Sequence, residues 1–99
     1  SQLYMLQYTY VEGMLEKRGP HRDAHLQMLG ELTQKGECVL GGAFMNPADG
    51  AMLLFQTRAA AETFAAQDPY SKAGLITKFN IRDYDAVTGT IMPALLPPQ

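Results

Sequence analysis

Tryptophan is absent from this chain, cysteine occurs once, and neither sign of charge dominates: eight Lys and Arg stand against ten Asp and Glu in 99 residues. Each shortage excludes something. A lone cysteine, Cys38, cannot close an internal disulfide, so the fold has to rest on a packed core. The scattered cations form no basic stripe able to neutralise a run of phosphates, which argues against a nucleic-acid partner. No apolar stretch approaches the ~20 residues that cross a bilayer, so no membrane partner is expected. Ser1-Gln2-Leu3-Tyr4 has neither a basic segment nor an apolar stretch of the kind used for export, and the expected location is cytoplasmic. There is no Gly-rich phosphate loop, and Ser1 and Ser71 lie in no nucleophile elbow, so phosphoryl transfer and serine catalysis lack support.

What is present is apolar: 46% of the chain, against 18% charged residues, enough for one domain with a core. Leu3 to Val11 lacks Gly and Pro, is rich in Tyr, and reads as a strand. Glu12 to Gly19 is charged and loop-like. From Pro20 to Lys35 the positions His25, Met28, Leu29 and Leu32 recur at helical spacing, with Pro20 suited to the start and Gly36 to the stop. Cys38 to Phe44 and Ala51 to Gln56 form a hairpin across Asn46-Pro47 and Asp49-Gly50, and Gly41-Gly42 marks a bulge or a close approach. Thr57 can cap a helix over Arg58 to Gln67, which Pro69 discourages from including Asp68, and Ile76 to Tyr84 supplies the last strand.

The order β-α-β-β-α-β is that of a ferredoxin-like α+β fold, with an antiparallel sheet and both helices on one face. The first and third strands are apolar on both sides, with Tyr4, Leu6, Tyr8 and Tyr10 backed by Leu3 and Met5. A half-solvated sheet would alternate instead. The second face therefore calls for a cover, most simply another copy of the chain, giving a homodimer. Residues 1–85 are expected to form the domain. Residues 86–99 form an apolar, proline-rich tail with Ile91, Met92, Leu95 and Leu96, suited to packing on a partner or to fraying.

Two residues stand out chemically. His25 places a near-neutral titratable group on an apolar helix stripe, although a lone buried histidine also serves as a hydrogen-bonded core residue. Asp68, just past the second helix and held by Pro69, is within reach of a pocket, although Asp before Pro is also a common turn former. Their spacing does not separate these readings. His21 and His25, four apart, could share a metal with Asp68, but no second ligand pair accompanies them, and no metal or cofactor is expected. Cys38 reads as a small buried hydrophobe.

Arg22-x-x-His25-Leu26, Gly36 followed by Gly41-Gly42-Ala43, and Asp68-Pro69-Tyr70-x-x-Ala73-Gly74-Leu75 together resemble the YCII (YciI-like) family from the first strand to about Tyr84. The chain departs from the usual family ending at Arg82-Asp83-Tyr84 and in its long tail. The resemblance implies a ferredoxin-like fold that dimerises through its sheets into an α+β barrel, with an active-site histidine and aspartate that map onto His25 and Asp68. One relative is a dehydrochlorinase acting on a chlorinated hydroxyhydroquinone, and other dimeric α+β barrels include muconolactone isomerase-like enzymes. The function expected is therefore cofactor-independent acid–base catalysis, of lyase or isomerase type, on a small cyclic or aromatic molecule. His25 would move the proton, Asp68 would hold its imidazole, Arg22 would steer an anionic oxygen, and Tyr8 and Tyr70 would wall the pocket. The alternative is a non-catalytic ligand-binding or accessory dimer.

Overall fold

In the computed structural model, which describes residues 1–95, four strands and four helices follow one another in the expected order with two short additions. Strand β1, Gln2–Tyr10, is central; helices α1, Met14–Lys17, and α2, Gly19–Gln34, lead to the hairpin β2, Cys38–Ala43, and β3, Gly50–Phe55. Helices α3, Arg58–Gln67, and α4, Pro69–Lys72, precede β4, Ile76–Asp85. The sheet runs β2-β3-β1-β4 and every pairing is antiparallel, so the two most apolar strands lie in the middle. This is the ferredoxin-like α+β fold.

Both additions have local causes. Segment 12–19, expected as a loop, contains α1 because Gly13, at φ 75°, turns the chain so that Met14 can bury itself. Helix α4 replaces the expected turn, since Asp68 caps it and Pro69 opens it, a combination as suited to starting a helix as to making a turn. Helix α2 ends in a Schellman motif: Gly36, at φ 76°, donates to the Thr33 carbonyl, and Glu37 donates to that of Leu32.

Register assigns the faces. Tyr4, Leu6 and Tyr8 pair with Phe55, Leu53 and Ala51, and these form the main core with Phe64 and Tyr70. Gly50 is required where β3 meets β1, since a Cβ there would stand 2.4 Å from the Tyr8 carbonyl oxygen. The irregularity in β2 falls between Cys38 and Leu40, not at Gly41-Gly42, which pair in register with Leu53 and Met52. On the opposite face Leu3 and Leu54 are buried by Leu95, with Met92 and Ala86 packed alongside. Part of that face is thus covered by the chain's own tail, while Leu40, Phe44 and Tyr84 remain about half exposed. Leu96 lies outside the described residues. No described helix is long and apolar enough to cross a membrane.

Candidate active site

The site is assembled where α3 stops. Pro69 excludes helical geometry at Asp68, whose backbone turns out at φ −55° and ψ 125° while its N–H still donates to the Phe64 carbonyl at 2.8 Å. Asp68 Oδ1 then accepts from the Tyr70 N–H at 3.0 Å, which caps α4. The turn-former reading is realised, and the same carboxylate has acceptor capacity left. Oδ1 also meets His25 Nδ1 at 2.7 Å, and Oδ2 accepts from the Tyr8 hydroxyl at 2.9 Å. Three donors thus converge on a carboxyl that is 0% exposed, the environment that suits an ionised, acceptor-only group.

The second consequence falls on His25. With Nδ1 donating to Asp68, the proton of the neutral imidazole sits on Nδ1 and the basic lone pair on Nε2. The ring is 8% exposed and lies flat on Tyr70, with centroids 3.8 Å apart and planes 9° apart; Phe64 adds a tilted contact at 5.8 Å. Orientation is therefore fixed from two directions, by a charge-assisted hydrogen bond in the ring plane and by an aromatic face across it. His25 also lines a cleft of about 460 Å³ between α2 and the sheet.

The tyrosines of the cleft floor are held neutral. Burial, and then the Asp68 charge, push the Tyr8 hydroxyl far above its ordinary range, so it stays a donor to Asp68. Tyr10 is pushed up to about 12, chiefly by burial, with Tyr70 and Asp68 adding to the effect and Arg18 and Arg22 opposing it. Among the described residues the buried Tyr70 hydroxyl has no hydrogen-bond partner. Burial also raises the Cys38 thiol, which disfavours the thiolate.

Of the residues singled out in the sequence, His25, Arg22, Tyr8 and Tyr70 all line the cleft, and Asp68 lies behind it. Tyr8 and Tyr70 differ from simple pocket walls, since one donates to Asp68 and the other both donates to it and stacks on His25. His21 joins no group of three metal-ligating side chains among the described residues. Sequence reasoning missed Arg18 and Tyr10, which line the same cleft. Arg18 stands four residues before Arg22, a helical spacing concealed by the Gly19-Pro20 break between them.

Comparison with solved structures supports this architecture. The 5-chloro-2-hydroxyhydroquinone dehydrochlorinase of Burkholderia phenoliruptrix AC1100, solved with 2,5-dihydroxybenzoquinone, superposes with a TM-score of 0.70 at 22% identity, covering 84% of this chain and 93% of that one. An antibiotic biosynthesis monooxygenase gives 0.52 at 13% identity over 89% of this chain and 100% of its own. Rv0793 from Mycobacterium tuberculosis gives 0.52 at 10% identity over 91% and 99%. At such identities the likeness establishes the fold alone. No curated protein matches the sequence. The profile of the YCII-related domain, however, matches residues 2–85, which takes in every strand, every α-helix and the whole His25–Asp68 pair, and the chain belongs to the YCII-related domain family.

Proposed function

We propose that the cleft is the active site of a cofactor-independent enzyme that moves a proton on a small cyclic or aromatic molecule, as a lyase or an isomerase. The observation that carries this reading is the buried Asp68 carboxylate, bound by three donors, one of which is His25 Nδ1. A buried ion held this way is expensive unless it orients something, and what it orients is an imidazole facing a cleft. In the proposed reaction His25 Nε2 takes a proton from a carbon or hydroxyl acidified by a neighbouring carbonyl. The electron pair released forms a new double bond. In a lyase a leaving group then departs with its bonding pair, and in an isomerase His25 returns the proton elsewhere. Asp68 stabilises the imidazolium in between, and Arg22 steers an anionic oxygen of the substrate.

A related fold supports the substrate class: the dehydrochlorinase of Burkholderia phenoliruptrix acts on a chlorinated hydroxyhydroquinone. We further propose that the domain, residues 1–85, works as a cytoplasmic homodimer joined through the open sheet face, where Leu40, Phe44 and Tyr84 are exposed beside the tail. Light scattering on the purified chain checks the dimer, and a monodisperse monomer at micromolar concentration removes it. For catalysis the decisive measurement is His25→Ala. Turnover should fall by roughly 10²–10⁴-fold while ligand binding survives. A ligand-binding or accessory protein would instead show binding with no turnover in any variant, and that outcome would replace the enzymatic reading.

A further inference from the structure

Two cations line the cleft. Arg18, at the junction of α1 and α2, and Arg22, in the first turns of α2, both line it, and neither has an ion-pair partner among the described residues. Asp68 is bound by His25, Tyr8 and Tyr70, while Glu12, Glu16 and Asp49 line a separate groove that shares Tyr10 with the cleft. Like charges four residues apart on adjoining helical turns repel one another, so in the empty protein the pair is a standing cost. Both are half-buried, and their field reaches the cleft floor, where they are the two groups that lower the raised Tyr10 hydroxyl. An arginine pair in a partly dry cleft is built to meet an oxygen anion through forked hydrogen bonds.

We infer that Arg18 and Arg22 form one anion seat, and that the molecule this cleft takes is a compact organic acid bound through a carboxylate or an ionised hydroxyl. The inference rests on the reading of the cleft as a small-molecule site, and it adds Arg18 as a binding residue and negative charge as the selection rule. His25 lies seven residues after Arg18 and three after Arg22 on the same lining face, so an anion seated on the arginines presents its uncharged portion toward the imidazole. Neutral analogues of the same shape leave the two guanidinium groups unpaired in the cleft, which is where discrimination arises.

The test uses the full chain with benzoate and benzamide, which share a shape and differ in charge, titrated at millimolar concentration by calorimetry and by NMR of the arginine side chains. Benzoate should bind at least ~10-fold more tightly than benzamide, and Arg18→Gln should weaken benzoate by roughly 10–100-fold while leaving benzamide unchanged. Arg58→Gln, on the exposed pair with Asp83, should leave both ligands as they were. Equal affinity for the two probes, no binding of either, or an unchanged benzoate affinity in Arg18→Gln overturns the anion seat. The charge comparison needs no variant, so it stands even if an arginine substitution impairs folding. Benzoate should also persist in His25→Gln. Charge-selective binding in a protein that turns over no compound would keep the seat while removing the acid–base reading, so the two fail separately.

Discussion

Helices α2 and α3 cover the same sheet face and do opposite things with it. The ten residues of α3 bury Ala60, Ala61, Phe64 and Ala65, whereas the sixteen of α2 bury only His25. Met28, Leu29 and Leu32, which helical spacing assigned to a buried stripe, are only half-buried, and Leu26 is 46% exposed. Alanines let α3 lie close on β1 and β3, while α2 stands over the glycine-rich β2 with the cleft beneath it. A weakly packed helix beside a well-packed one is thus a division of labour. One supplies the core, and the other supplies a wall of the cleft.

The largest expected effect tests that division directly. Phe64 is fully buried and touches the rings of Tyr8, His25 and Phe55, so Phe64→Ala removes both apolar area and aromatic support. It should cost about 3–5 kcal/mol in urea unfolding. Leu26→Ala, at a half-exposed position where α2 lines the cleft, should stay within about 0.5 kcal/mol. Comparable losses from the two would mean that α2 is as much a core helix as α3.

The same contrast explains what the sequence disclosed. Helix α3 is legible to its ends because its signals are local, with Thr57 before it and Asp68-Pro69 after it. Helix α2 was legible as a helix, and His25 as an inward residue, but periodicity reports which face is apolar and not how close the helix lies to the sheet. The approach of His25 to Asp68 follows from topology, since both elements share one sheet face. The Tyr8 hydrogen bond to Asp68 spans 60 residues and depends on side-chain reach, which no local pattern carries. Arg18 escaped notice because Gly19-Pro20 punctuates the chain there without interrupting the lining face.

A middle-sized effect sharpens the picture of the cleft floor beneath α2. Burial disfavours the Tyr10 phenolate and pushes its hydroxyl up from the ordinary 10.0 to about 12. Between those values the unfolded chain releases a proton that the native state keeps, so the native state binds more protons and stability falls as pH rises. The contribution is complete below pH 10.0 and is lost by about 1.4 kcal/mol per pH unit above it, until the native group ionises near 12. Tyr8 adds to the same trend. In Tyr10→Phe the slope of stability against pH in this window should shrink by one proton, with no change in pH dependence near neutrality. An unaltered slope would show that water reaches Tyr10 freely and that the floor is as open as the outer wall.

The smallest effect concerns how each helix begins. The Thr57 hydroxyl accepts from the Ala60 N–H at 3.1 Å, satisfying one of the donors that a helix start leaves unpaired. Helix α2 has no such bond, since Arg18 occupies its cap position and directs its side chain to the cleft instead. Thr57→Ala should therefore cost about 1 kcal/mol, and Thr57→Ser should recover most of it because serine supplies the same oxygen. Arg18→Ala should cost no cap energy, and by relieving the repulsion with Arg22 it should leave stability level or slightly raised. Urea midpoints measured at low and at high salt separate the two causes. Salt should leave the Thr57 loss in place, because a hydrogen bond to a neutral hydroxyl is little screened, and should shrink any gain at Arg18, because a charge repulsion is. A stability loss in Arg18→Ala equal to that in Thr57→Ala would mean that the arginine serves the helix before it serves the cleft.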